Sequence, residues 1–232
     1  MSIQLIDLSH PVEAGMLTYP GLPAPVISDF LAREESRARY ANQAEFHIGR
    51  IEMIANTGTY LDAPFHRHAD GDDIAQLTLA RVAFLTGLLI DLPDGERALR
   101  AEHLGGLEVR GHAVIVRTGW SRHWRTETYG DASHPYVSRE AAQHLADAGA
   151  ALVGIDSVNI DDMADPSRPA HTILLRAGIP IAEHLTNLAA LIGKAFAFFA
   201  VPPPIRGMGT FTVRAFAAVG LEEQTCVSPT SS

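Results

Sequence analysis

The chain is poor in the residue types that would place it in several large functional classes. It carries a single cysteine, Cys226. One thiol cannot close an internal disulfide, so the fold is expected to stand on its core alone and to suit a reducing compartment. It has no run of lysine and arginine, and its net charge is −9. Nucleic-acid binding needs clustered cations to neutralise phosphates, so that class is excluded as a partner. No apolar stretch approaches the length of a membrane span; the longest, such as Ala195 to Val201, are far too short. The opening MSIQLIDLSHPVEAG lacks the basic and apolar regions of a secretory leader. A cytoplasmic protein with no membrane partner is the expectation.

What is present is a chain able to bury a core. Hydrophobic residues make up 47% and charged residues 19% of 232 residues, which fits one folded domain over residues 1–232 with a flexible tail from about 221. Strand patterns run over Ile3–Leu8, Phe46–Ile54, Phe84–Leu92, Ala113–Thr118, Ala151–Asp156, Ala195–Val201 and Phe211–Val219. Phe30–Tyr40 is charged and reads as a short helix or mobile segment. Ser138–Gly149 has a serine cap, apolar residues at helical spacing and a terminal glycine, and so reads as a helix. Pro169–Gly178 also ends on a glycine, and Glu183–Leu191 reads as a short connecting segment. Strands outnumber helices and alternate with them only in part, which points to an α/β sandwich over a doubly wound sheet.

The segment Asn56-Thr57-Gly58-Thr59-Tyr60-Leu61-Asp62-Ala63-Pro64-Phe65-His66-Arg67-His68 concentrates polar groups around turn residues. Pro64 makes a regular helix between Asp62 and His66 unfavourable, so a strand end running into a tight loop is expected. A hard divalent ion needs oxygen and nitrogen ligands from separate segments. His171 and Glu183, twelve residues apart, are the second such pair. Eleven histidines make pairs of this kind easy to meet by chance, and spacing alone leaves a structural role open for each. Tyr19, Phe65, Trp120 and Trp124 are candidates for an aromatic pocket, with core packing as the default. His68 reads as a rim residue, His10 as a pocket, capping or surface residue, and His47 as a packed, hydrogen-bonded histidine. Asp156, Asp161 and Asp162 read as turn and supporting acids. His103, His112, His123, His134 and His144 read as surface residues, and His184, adjacent to Glu183, is left outside the ligand set.

The same segment resembles the hallmark His-x-Gly-Thr-His-x-Asp-x-Pro-x-His of the cyclase family, which includes bacterial kynurenine formamidase-like (arylformamidase) enzymes and isatin hydrolases. Asn56 and Tyr60 stand where that pattern has histidine. Further blocks match in order: Asp7-Leu8-Ser9-His10, Tyr19-Pro20-Gly21, Arg117-Thr118-Gly119-Trp120, Gly154-Ile155-Asp156-Ser157, His171 to Leu175, Gly178-Ile179-Pro180-Ile181, Glu183 to Leu188 and Arg214-Ala215. The resemblance implies a swivelling β/β/α sandwich, assembled as a homodimer or homotetramer. It places Asp62, His171 and Glu183 on metal-ligand positions and His66 on that of the catalytic base. The two replaced histidines argue against a two-metal site, since an asparagine carbonyl is a weak ligand and a tyrosine must lose a proton of pKa near 10 to become a strong one. The implied activity is therefore hydrolysis of a small cyclic or aryl amide or ester at one divalent ion, manganese or zinc. Tyr60 would assist His66, and Asn56, Tyr19 and Phe65 would contact the small-molecule substrate. The residues leave two alternatives open: a metal-free lyase or cyclase run by Tyr60, His66 and His171, and a family member that binds a ligand without turnover.

Overall fold

The computed structural model describes residues 2–19 and 21–221. Cys226, Pro20 and the tail beyond residue 221 lie outside the described residues. Nine strands form one mixed sheet. Its order is Gln4–Asp7, Phe216–Val219, Phe196–Phe199, Leu85–Asp91, Ala113–Arg117, Leu152–Ile155, Ile181–Glu183, Tyr60–Asp62 and Thr210–Thr212. The four strands from Leu85 to Glu183 run parallel to their neighbours, and the strands on both flanks are antiparallel.

The expected strand Phe211–Val219 is in fact two. Thr210–Thr212 pairs with Tyr60–Asp62 at one end of the sheet, while Phe216–Val219 pairs with Gln4–Asp7 and Phe196–Phe199 near the other. Only Val213, Arg214 and Ala215 separate them, so the two ends of the sheet must lie close together and the sheet is rolled. Leu8 fastens the roll: its N–H donates to the Ala215 carbonyl and its own carbonyl accepts from Thr186 N–H. The alternation of apolar residues could not reveal this corner, because both halves keep it.

Rolling gives the sheet two apolar sides, and the strands supply both. In Ala113–Arg117, Ala113 and Ile115 face a core inside the roll with Leu61, Leu152, Leu185 and Phe198. Val114 and Val116 face a second core with Leu145 of helix α2 (Arg139–Ala148) and Leu174 of helix α3 (Pro169–Arg176). The period of two along a strand puts successive residues into different cores. The layers are therefore sheet, sheet and helix. Helix α2 is capped as the sequence predicts, Ser138 Oγ accepting from Ala141 N–H and Gly149 closing at φ +80°. Asp156 joins two of the matching blocks by accepting from Thr118 N–H, Thr118 Oγ and Gly119 N–H.

An antiparallel ribbon, Val26–Leu31 with Ile48–Glu52, leads to helix α1 (Arg33–Arg39), the helical alternative of the two expected there. Its strands are exposed on both sides, including Ile27, Phe30, Ile48 and Ile51. His47, at its edge, bonds Asp29 and is half exposed, so it is hydrogen-bonded but not packed. No helix among the described residues is long and apolar enough to cross a membrane.

Three histidine positions need revision or definition. His134, expected at the surface, is fully buried and bonds the Pro135 carbonyl and Ser157 Oγ through Nδ1. His10 stacks on Trp124 with centroids 3.8 Å apart. The Trp124 ring meets Tyr129 and His184 edge-on, and Tyr129 Oη bonds His184 Nδ1 at 3.0 Å. Burial lowers His10 to about 4 and His134 below its usual value; burial, helped by the neighbouring His10, lowers His184 to about 3. These groups are neutral in the native state and take up protons on unfolding. Their contribution to stability is complete above about pH 6.5, the unfolded histidine value, and is lost as pH falls toward 4 and 3. Below pH 6.5 three histidines take up protons on unfolding against one that native Glu183, lifted by burial to about 7, already holds, so urea midpoints measured between pH 6.5 and 4.5 should fall. His134→Asn, which keeps a donor near the Nδ1 position, should flatten the slope; an unchanged slope would remove His134 from the account.

Candidate functional site

Cross-strand register assembles the site. In the three strands at one end of the sheet, Tyr60 stands directly opposite Glu183, and Asp62 directly opposite Thr210. Tyr60 and Asp62 are two apart and share a face, so all four side chains point the same way. The Tyr60 hydroxyl donates to Glu183 Oε2 at 2.6 Å, and the Thr210 hydroxyl donates to Asp62 Oδ1. The expected tight loop after the strand is a 3₁₀ turn, Pro64–His66, with Pro64 at its first position. It folds His66 back over Asp62, with Nδ1 3.8 Å from Asp62 Oδ1.

This turn is gripped from two sides by glycines. A Cβ on Gly209 would lie 2.5 Å from the His66 backbone, and one on Gly71 would lie 2.7 Å from Pro64. Phe65 N–H donates to the Asp72 carbonyl and Ala63 N–H to the Gly209 carbonyl. Any larger residue at either glycine displaces the chain that carries His66.

His171 arrives from the first turn of helix α3. Asp161 accepts from Ala170 N–H, His171 N–H and His171 Nδ1, the last at 2.6 Å. Binding Nδ1–H to a carboxylate fixes the tautomer and turns Nε2 inward as an acceptor. There Nε2 lies 3.6 Å from Asp62 Oδ2 and 3.9 Å from Glu183 Oε2, too far for hydrogen bonds. Asp62 is fully buried, and its Oδ2 has no hydrogen-bond partner. A buried carboxylate oxygen without a partner is costly unless a cation meets it.

The site is short of positive charge. Burial would push Asp62 up, but the imidazoles of His66 and His171 and the Thr210 hydroxyl outweigh it and hold Asp62 below the usual carboxylate range. Burial lifts Glu183 to about 7 against the pull of His171, with the Asp62 charge adding to the rise. Burial opposes protonation of His171, yet Glu183, Asp161 and Asp62 together raise it to about 10. Without another cation, the cluster recruits a proton onto His171. Burial first, then the Glu183 and Asp62 charges, push the Tyr60 hydroxyl well above its usual value, so it is a neutral donor and not an anionic ligand.

Ligand atoms of Asp62, His66 and His171 lie within 4.8 Å of one another. This set differs from the expected Asp62, His171 and Glu183. Glu183 lies beside it but is engaged twice, accepting from Ile160 N–H through Oε1 and from Tyr60 through Oε2. Two imidazoles with one or two carboxylates fit a divalent metal ion.

These groups line a cavity of about 310 Å³, the lower end of the range for small-molecule sites. Tyr19, Asn56, Tyr60, His66, His171 and Glu183 all reach it. Phe65 does not: it is 37% exposed and stands outside the cavity lining, because the 3₁₀ turn directs it away while returning His66. Trp120 and Trp124 belong to a separate aromatic cluster with Tyr129, and His68 bonds the Thr172 carbonyl and Arg176. Residues that the sequence did not single out here are Thr210, Asn159, Arg67 and Arg168. Asp161, read as a supporting acid, is the partner of His171.

Comparison with known proteins identifies the family and the fold. A family model described as "Putative cyclase" matches residues 6–162. A kynurenine formamidase of Bacillus cereus is 29% identical over 184 residues, covering 78% of this chain and 81% of its own. That of Bacillus mycoides is 28% identical and covers 91% and 96%. Among solved structures, isatin hydrolase A from Ralstonia solanacearum superimposes with a TM-score of 0.79 at 21% identity, covering 94% of this chain and 92% of that one. A structure titled as a predicted metal-dependent hydrolase from Bacillus stearothermophilus gives 0.75 at 24% identity, covering 94% and 99%. The fold is thus the β/β/α sandwich shared with these structures.

Thr210 has one proton and gives it to Asp62, so its oxygen must accept from His66 Nδ1, 2.8 Å away. That leaves the lone pair of neutral His66 on Nε2. Nitrogen-15 NMR at neutral pH should show His66 as the Nδ1–H tautomer, and Thr210→Val should give a mixture. A native protein with Nε2–H would refute this assignment.

Proposed function

We propose that this chain, which belongs to the cyclase family, is a metal-dependent hydrolase that opens the C–N bond of a small aryl or cyclic amide. Kynurenine formamidase relatives and isatin hydrolase neighbours support an amide as the substrate, with an ester as the chemically related alternative. The observation that carries the reading is Asp62 Oδ2, buried without a partner and facing His171 Nε2. Asp62 and His171 would hold one divalent ion, manganese or zinc, with Glu183 beside them. Bound there, it would polarise the substrate carbonyl and lower the pKa of the attacking water.

The remaining steps belong to the chain's own side chains. His66 Nε2 takes the proton from the water as its oxygen bonds the carbonyl carbon, then delivers that proton to the departing nitrogen as the C–N bond breaks. The products are a carboxylic acid and an amine. Thr210 holds His66 in the tautomer that this transfer needs. Tyr60 stays protonated and keeps Glu183 in place. Asn56 and Tyr19 form the wall against which the substrate would rest. The exposed apolar side chains of the ribbon support a homo-oligomer, which light scattering on the purified protein should report as a dimer or larger.

Elemental analysis after incubation with manganese or zinc should find about one ion per chain, and Asp62→Asn should lose it. His66→Ala should keep the ion and lose about 100-fold or more in kcat, the scale of general-base catalysis. Loss of the ion in His66→Ala would instead make His66 a ligand, as its position in the Asp62–His66–His171 group allows. No ion under any condition would sink the hydrolase reading and leave metal-free acid–base chemistry or ligand binding.

A further inference from the structure

Two guanidinium groups stand at the cavity with no carboxylate to neutralise them. Arg67 and Arg168 both line it. Among the described residues, no acid lies within 4.0 Å of either: Asp162 pairs with Arg97 at 3.0 Å, Asp165 pairs with Arg139 at 3.9 Å and feels the Arg168 charge only at longer range, and the Arg168 guanidinium itself donates to the Asp162 carbonyl at 3.5 Å. Arg176, at the far end of the same helix, is by contrast paired with Asp70. In a chain of net charge −9, two unmatched cations at one cavity call for a ligand.

Both are positioned rather than loose. Arg67 Nε donates to Thr172 Oγ at 3.0 Å and one terminal nitrogen to the Ser167 carbonyl at 3.3 Å, which leaves the other terminal nitrogen free. Arg168 sits immediately before helix α3 at φ +47°, a left-handed conformation that a non-glycine residue holds only at a cost. Its neighbours on both sides are fixed, since Ser167 N–H donates to Asp165 Oδ1 and Asp161 accepts from the first turn of the helix. The strain thus falls on the residue whose side chain reaches the cavity.

We propose that Arg67 and Arg168 form a carboxylate clamp at the cavity, so that the preferred substrate is an amide or ester bearing one carboxylate beside the bond that breaks. The identity of the reacting bond rests on the hydrolase reading; the clamp itself does not. A cavity of about 310 Å³ lined by both guanidiniums suits a single carboxylate. Arginine is suited to the task because its planar donors match a planar carboxylate. The small cavity limits the rest of the substrate to about the size of one substituted ring.

The clamp is tested by calorimetry on the metal-loaded protein with benzoate and its neutral counterpart benzamide. Benzoate should bind about tenfold or more tightly than benzamide, each of Arg67→Gln and Arg168→Gln should cost benzoate about tenfold, and benzamide binding should not move. The benzoate preference should shrink with added salt. Equal binding of the two probes, no binding of benzoate, or benzoate binding unaffected by either substitution would overturn the clamp; the last would place the carboxylate on the ion. Inorganic phosphate that competes as well as benzoate would also overturn it in favour of a general anion site. A parallel turnover assay on a neutral and a carboxylate-bearing formanilide separates the two readings. Hydrolysis without carboxylate preference retires the clamp alone, and carboxylate binding without hydrolysis of either compound retires the hydrolase alone.

Discussion

A buried excess of negative charge governs this molecule. Asp62, Asp161 and Glu183 are withdrawn from water around one imidazole. Folding cannot hide three carboxylates without supplying positive charge, and the protein answers in layers. Hydroxyls of Tyr60 and Thr210 each satisfy one carboxylate oxygen, and backbone N–H groups of residues 160, 170 and 171 satisfy others. One oxygen, Asp62 Oδ2, is left over, 3.6 Å from His171 Nε2. The rolled sheet, the capped helix α3 and the clamped 3₁₀ turn are the means of bringing these groups together at fixed distances.

Much of the fold was legible in the sequence, because burial writes a period into it. Ala113–Arg117 and Arg139–Ala148 are found where apolar periodicity and capping residues put them. The roll was not legible. It depends on a corner at Val213–Ala215 within a run that alternates throughout, and on which distant strand each half joins. The inner strand Ile181–Glu183 was likewise hidden, between a turn at Gly178–Pro180 and a connection read from Glu183, since three residues are too few for a period to show.

At the site, the residues with chemical character announced themselves, but their relations did not. Thr210 becomes meaningful only once the register sets it opposite Asp62, and His134 reads as polar and exposed until Ser157 is seen beside it. Phe65 shows the reverse error: adjacency to His66 in the chain suggested a shared cavity, whereas a 3₁₀ turn sends neighbours in different directions. The Asn56 and Tyr60 replacements were visible at once. Their effect was not, because it lies in the bond from Tyr60 to Glu183, which uses the phenol to hold an acid that would otherwise be free to swing.

Gly71 and Gly209 point to how such a site can drift over evolutionary time. The polar residues that face the cavity have open space on one side, so a substitution there alters the chemistry without displacing the chain. The two glycines allow no comparable freedom, since the space a side chain would need is already filled by the backbone that carries His66. Chemistry at this site can therefore diversify while its frame stays frozen. The most restrictive positions are the two that present no functional group at all.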